Sequence, residues 1–253
     1  MTVPTSPPTV TACVIVIGNE ILSGRIQDTN LYFLAGWLNR HGIRLREVRV
    51  VADDQGEIVA AVNACRSRYD YVLTTGGIGP THDDITTAAI AVAFGVAVVR
   101  DPEAMRRLES HYGQSNLNDA RVRMADIPAG ATLIDNPVSM APGFQIGNVF
   151  VLAGVPMVMQ AMAEGLGDRL TGGEPMLSRT VSCELAEGVL SAGLEAVQRR
   201  WPDLEIGSYP YFRNGFFGVS LVLRGTNPER LDAGTAETAE MVRALGGVPK
   251  VIG

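Results

Sequence analysis

Lysine is almost missing from this 253-residue chain: Lys250 stands alone, and arginine supplies the rest of the fixed positive charge. A phosphate clamp in such a protein has to use arginine or backbone N–H groups, not the lysine of a P-loop. Positive charge is in deficit as well, with a formal net charge of −6 and a pI near 5.1. That balance argues against nucleic acid as a partner, because a broad footprint needs a basic face to displace counterions. Cysteine is scarce. Cys13, Cys65 and Cys183 are widely spaced and set in apolar stretches, which reads as buried, reduced thiols rather than a metal or redox centre. His41, His82 and His111 have no metal-ligand spacing, and no Ser/His/Asp signature of acyl transfer is present. Long apolar runs are missing too. Residues 12–17 are too few for a membrane span or a signal sequence, and the Pro- and Thr-rich stretch before them has no basic residue. A cytoplasmic protein with no membrane partner is expected.

What the chain does hold is apolar bulk. Hydrophobic residues make up 46% and charged residues 19%, enough for a sizeable core and too apolar for disorder. Residues 13–17 (CVIVI) form a largely β-branched run ending at Gly18, the pattern of a strand buried on both faces in a parallel sheet. Asp28 or Thr29 can cap a helix whose Leu31, Leu34, Ala35 and Leu38 share a face and which Gly42 stops. Residues 45–51 and 71–74 read as further strands, each followed by a helix: Ile58, Val59, Val62 and Cys65 mark one, and residues 84–94 the other. This alternation predicts an α/β fold with a right-handed, doubly wound, mostly parallel sheet. Residues 100–125 look helical with a polar face. Residues 133–134 and 145–152 give more strands with Gly147-Asn148 as a hairpin turn, and Pro156 opens another helix.

Four glycines within residues 165–175 read as a linker, so the expected domains are 1–170 and 171–253. In the second, residues 179–184, 204–207, 216–223 and 248–252 read as strands. The stripe Leu190, Leu194, Val197 and Trp201 marks one helix, and Asn227 caps another that carries Leu231, Met241, Val242 and Leu245. The order is βαββαβ, a smaller α+β domain of ferredoxin-like type.

Three loops follow strands at the carboxyl ends where doubly wound sheets bind ligands. They are residues 18–24 with Gly18, Asn19, Glu20 and Ser23; Asp53-Asp54; and residues 74–86. In the third, Gly76, Gly77 and Gly79 let backbone N–H groups approach an anion, and Thr75, Thr81 and Thr86 add hydroxyls. Asp83 and Asp84 would repel that anion. Either they cap the following helix, or they hold a divalent cation that bridges to phosphate. Glu20 is a ligand or a surface charge, Asn30 a ligand or a helix cap, and Ser139 a phosphate contact or a turn residue. Tyr209 and its aromatic neighbours in residues 208–212 either stack on a ring or pack on their own sheet.

The string TGGIGPTHDDIT at residues 75–86 resembles the signature loop of MoaB/Mog-type molybdopterin-binding domains. Residues 18–22 with Gly24, Asp28, Thr29 and Asn30 are similar to the opening motif of the CinA branch, the competence/damage-inducible proteins. Ala141-Pro142-Gly143-Phe144 and Gly154-Val155-Pro156 resemble two later signatures of that branch. The likeness runs in order over about residues 11–164, and the region beyond resembles the small domain that accompanies it. The resemblance implies a molybdopterin-type pocket in which Asp53 and Asp84 match two acids regarded as functional in Mog proteins. It adds Ser139, Pro142, Gly143, Gly154 and Pro156 to the ligand-contacting candidates of the three loops. Related domains, including that of eukaryotic FAD synthase, are associated with metal-dependent cleavage of the pyrophosphate in ADP-ribose or FAD. The expectation is therefore a homo-oligomeric binder of molybdopterin, ADP-ribose or FAD with Mg, Mn or Co at Asp83 and Asp84, and whether it also turns the nucleotide over as a pyrophosphatase is left open. The alternative is a non-catalytic carrier linked to molybdenum cofactor biosynthesis. Two departures stand out: Val158 occupies a position where the branch usually has glutamate, and Val138-Ser139-Met140 replaces its commoner Gly-Thr pair. The nicotinamide-nucleotide (NMN) deamidase domain of full-length CinA, and its activity, are expected to be absent.

Overall fold

The computed structural model describes residues 9–213 and 215–252. The chain divides into two compact units, Met1–Gly173 and Glu174–Gly253.

The large unit opens with β1 (Thr11–Ile17), a short α1 (Asn19–Leu22), α2 (Asn30–Arg40), β2 (Arg44–Val51), α3 (Gln55–Arg66), β3 (Tyr71–Thr75) and α4 (Thr86–Phe94). It continues through β4 (Val98–Arg100), α5 (Pro102–Tyr112), α6 (Asp119–Arg123), β5 (Asp126–Pro128), β6 (Thr132–Ile134), β7 (Gly143–Ile146), β8 (Val149–Leu152) and α7 (Pro156–Glu164). The main sheet runs β2-β1-β3-β8-β7-β6. Its β1/β2, β1/β3 and β3/β8 pairs are parallel, while β7 runs against both β6 and β8. This is the doubly wound, mostly parallel sheet that the alternation of elements predicts.

The alternation of side chains along β1 shows why. Ala12, Val14 and Val16 face one core with Leu34, Trp37 and Leu38 of α2 and Met159 and Met162 of α7. Cys13, Ile15 and Ile17 face the other, with Ile58, Val62 and Cys65 of α3 and Ala89 and Ile90 of α4. Each fully buried aliphatic side chain of this kind contributes about 1.5–3 kcal/mol, so covering both faces fixes the register of the central strand. The Cys13 and Cys65 sulfurs lie 3.1 Å apart in the second core. Burial pushes the Cys13 thiol well above its ordinary range, so it remains a protonated packing group.

Two expectations change. Residues 100–125 are not continuously helical: β4 and β5 form a separate antiparallel ladder, with α5 and α6 between them. Of the glycines read as linker, Gly172 packs against the end of α2, where a Cβ would stand 1.6 Å from the His41 carbonyl oxygen. Gly173 N–H donates to the Gly42 carbonyl at 3.0 Å. These glycines permit close backbone approach rather than looseness.

The small unit contains β9 (Leu177–Cys183), α8 (Glu187–Arg200), β10 (Glu205–Arg213), β11 (Phe216–Gly225), α9 (Pro228–Ala244) and β12 (Lys250–Ile252). The sheet order β10-β11-β9-β12, antiparallel throughout, is the split arrangement that βαββαβ implies. Its core gathers Val181, Leu190, Val197, Leu221, Leu223, Leu231 and Val242. The Asn227 side chain accepts the Arg230 N–H at 3.0 Å and so starts α9 as expected. β10 extends far past residue 207 and includes Pro210, which an edge strand tolerates because one row of its N–H groups has no ladder partner. Among the described residues, no helix is long and apolar enough to cross a membrane.

Candidate functional site

The sheet order places β2 on one side of β1 and β3 on the other. The loops leaving β1 and β3 run to helices on opposite faces and part from each other, which opens a crevice at the carboxyl ends. Bare backbone makes its floor. Gly76, at φ +103°, lies so close to β1 that a Cβ would stand 2.2 Å from the Ile17 carbonyl oxygen. A Cβ on Gly154, after β8, would be 3.2 Å from the Gly76 Cα. Gly77, at φ +69°, leaves no room for a Cβ beside Thr86 Oγ1. The Thr86 hydroxyl in turn donates to the Gly76 carbonyl at 2.9 Å. Above this floor is a cavity of about 780 Å³, within the range of small-molecule ligand sites.

The carboxylates have specific partners. Asp53 accepts the Asn19 N–H at 2.8 Å and joins the loops after β1 and β2. Asp54 instead caps α3, accepting the Glu57 N–H. Asp84 turns back into its own loop, where it accepts the Gly79 N–H at 2.7 Å, the Thr81 N–H at 2.7 Å and the Thr81 hydroxyl at 2.5 Å. Asp83 lies 2.5 Å from the same hydroxyl. A hydroxyl has one proton, so it can serve only one of these carboxylates at a time. Its hydrogen bond still holds the Asp83 carboxyl below the usual carboxylate range.

Neither aspartate caps α4. That helix starts at Thr86 with Ile85 at its N-cap, and no side chain bonds there. The Gly79 N–H, a candidate donor to a ligand anion, is taken by Asp84. For a metal, no three Asp, Glu, His or Cys residues gather as a ligand set among the described residues. Asp53 and Asp83 each keep an oxygen that no hydrogen bond to these partners uses.

Two residues of the lining each carry a buried oxygen with no partner, and Trp37 Nε1 and Thr74 Oγ1, outside the lining, are in the same state. Asn30, 5% exposed, donates from Nδ2 to the Gly154 carbonyl at 2.7 Å, yet its Oδ1 accepts nothing. Thr75, 1% exposed, has an unpartnered Oγ1. Such atoms are rare in folded proteins because each unmet bond costs about 1–3 kcal/mol.

Of the candidates read from sequence, Glu20, Asn30, Asp53, Thr75, Gly76, Gly77, Gly79, Asp83, Asp84, Ser139, Gly154 and Pro156 all line this cavity. Gly18, Asn19, Ser23 and Thr81 belong to the same loops without lining it, and Thr86 braces the floor from beneath. Gly143 starts β7, where a Cβ would stand 2.2 Å from the Val151 carbonyl oxygen, and Pro142 lines a smaller neighbouring cavity of about 140 Å³. The Asn30 cap reading fails, since Asp28 accepts the Asn30 and Leu31 N–H groups at 3.3 and 3.0 Å. Sequence reasoning missed Tyr112, Arg121 and Asn136 in the lining. Asn136 holds the residue 136–141 turn by accepting the Val138 and Ser139 N–H groups and donating to the Ser139 hydroxyl and the Ala141 carbonyl. The Asn-Pro pair was its one visible signal.

A crevice at the switch point of a doubly wound sheet, floored by glycine and rimmed by carboxylates, defines a ligand-binding α/β domain. Residues 13–172 match the family described as "Probable molybdopterin binding domain", and the chain belongs to it. Residues 175–248 match "FAD synthase, middle domain". The chain is 32% identical over 249 residues to a "Probable FAD synthase" of Caenorhabditis briggsae, covering 88% of this chain and 48% of that one. A "CinA-like protein" of Desulfosudis oleivorans is 40% identical over 157 residues, 60% of this chain and 38% of its own. The chain thus spans half or less of the length of these two relatives. The crystal structure of the protein CinA with unknown function from Thermoplasma acidophilum superposes with a TM-score of 0.60 at 38% identity, covering 63% of this chain and 96% of that one.

Proposed function

We propose that the large unit binds a phosphorylated heterocyclic compound, molybdopterin or an adenine-nucleotide pyrophosphate such as ADP-ribose or FAD. The observation that carries this reading is the cavity of about 780 Å³ at the carboxyl ends of the strands, floored by Gly76, Gly77 and Gly154 and lined by Asn30, Thr75 and several carboxylates. Relatives named for FAD synthesis and for molybdopterin binding support the same chemical class.

Turnover is the second reading, favoured by Asp53 and Asp83 in the same lining. Water attacks one phosphorus of ADP-ribose, the bridging P–O bond breaks, and AMP and ribose 5-phosphate leave. A divalent cation, when bound, polarises the phosphoryl oxygens. In that reading Asp53 would orient the attacking water, Asp83 would be the residue to hold the cation, and Asp84 keeps the glycine loop in shape. Val158, in the lining where the related branch usually has glutamate, contributes no charge, so binding without turnover is the primary reading.

Calorimetric titration with FAD, ADP-ribose and a pterin phosphate, with AMP release followed with and without Mg²⁺, Mn²⁺ or Co²⁺, tests both. Saturable binding is expected. Failure of all three compounds to bind, with or without metal, overturns the proposal, and metal-dependent AMP release would move turnover to first place.

A further inference from the structure

Most titratable side chains in the cavity are acidic, Asp28, Asp53 and Asp84 among them. A phosphate group entering there meets like charge, so the site needs a cation to accept it. One basic residue lines the cavity among the described residues, Arg121 on α6. Asn118 caps that short helix by accepting the Arg121 N–H at 2.9 Å. The guanidinium lies 4.4 Å from the centre of the Tyr112 ring and donates from Nη1 to the Asn116 carbonyl at 2.6 Å. Arg100 pairs with Asp126, and Arg107 with Glu103 and Asp135. Arg121 pairs with no carboxylate among the described residues. A guanidinium has five N–H donors, and most of those on Arg121 remain to be used.

We infer that Arg121, stacked on Tyr112, is the anion-recognition residue of the cavity and sets the direction in which a ligand lies. The phosphate or pyrophosphate group faces Arg121, and the rest of the ligand lies along the lining towards Asn30 and Thr75. The inference rests on the proposed function in one respect, that the ligand is phosphorylated. Stacking on Tyr112 holds the planar guanidinium ready, so little freedom is lost when it forms a two-pronged contact with phosphate oxygens.

The test is titration of the full chain with inorganic pyrophosphate, ADP-ribose and adenosine. Arg121→Gln is compared with Arg106→Gln, which removes the same charge from the exposed face of α5. A charge-assisted contact implies that Arg121→Gln weakens pyrophosphate and ADP-ribose about 10- to 100-fold, while adenosine changes less than about twofold. Arg121→Lys should recover part of the loss, and Arg106→Gln should match the wild type. Equal losses for adenosine, or unchanged ADP-ribose binding in Arg121→Gln, overturn this inference and leave the proposed function standing. A wild-type protein that binds neither phosphorylated probe overturns this inference, and the proposed function falls with it only if FAD and a pterin phosphate also fail to bind.

Discussion

In the large unit both faces of the sheet are covered, by α2 and α7 on one side and α3 and α4 on the other. In the small unit α8 and α9 pack on the face that carries Val181, Leu221 and Leu223, and the opposite face presents half-buried Thr180, Ser182 and Ser220. Ser182 and Tyr211 share a hydroxyl–hydroxyl bond of 2.8 Å on that second face. The difference follows from strand direction. Parallel strands joined by crossover helices bring their carboxyl ends to one edge, so several loops collect there and bare N–H and hydroxyl groups can converge. Antiparallel strands alternate their ends, so no edge gathers loops in this way. Both cavities described above belong to the large unit, and the small unit resembles a scaffold closed by its own packing.

The sharpest way to break that comparison is at the glycine floor. Gly77→Val puts a β-branched side chain at φ +69° and drives a Cβ into Thr86 Oγ1. A loss of at least about 3 kcal/mol is expected in the large unit, together with ligand binding. Hydrogen exchange should accelerate in the strands flanking the loop and stay unchanged in residues 177–252. Faster exchange in both units would show that they do not hold their stability separately.

Asp84→Asn is next in size. The side chain accepts three hydrogen bonds, and an amide oxygen can take over only part of that work while its NH₂ group faces donors. A loss of about 1–3 kcal/mol in thermal stability is expected. Binding should weaken through disorder of the Gly79–Thr81 segment. A variant with wild-type melting temperature but lost binding would instead make Asp84 a direct ligand contact.

The smallest effect concerns acid. Hydrogen bonds from Arg106 and then Arg107 hold the Glu103 carboxyl at about 2, well below the usual carboxylate range. A lowered folded-state pKa gives stability that is present at neutral pH and lost as pH falls from about 4.5 through about 2. Glu103→Gln should flatten the melting-temperature profile slightly in that window and change nothing at pH 7. An identical acid slope in both proteins would show that the exposed pair contributes nothing.

Sequence made the order of elements readable because buried strands and amphipathic helices impose their own periodicities on apolar residues. It did not reveal β4 and β5, since a three-residue ladder whose Val98, Val99 and Arg100 are all exposed has no periodicity to detect. β10 was read too short because Gly207 and Pro210 are strand breakers everywhere except at an edge. That the three strand-end loops meet at one crevice was legible, because strand-end positions follow from the fold. Asp84 was legible as a residue of the crevice lining but its hydrogen bonds were not, because folding back onto Gly79 is decided by loop geometry. Arg121 and Tyr112 were hidden for a different reason. They come from an excursion of more than twenty residues between β4 and β5, and nothing in a polar helix indicates which crevice it will overhang.

The near absence of lysine has a practical consequence once the fold is known. Lys250 is exposed on β12 in the small unit, while arginine supplies every fixed cation of the large one. Any reagent or enzyme that modifies lysine side chains therefore has one address on this chain. A fluorophore or surface linker attached there leaves the residues of the crevice chemically untouched. Arginine, which stays protonated under all ordinary conditions, likewise gives the large unit a positive-charge pattern that neither acetylation nor mild alkali can erase.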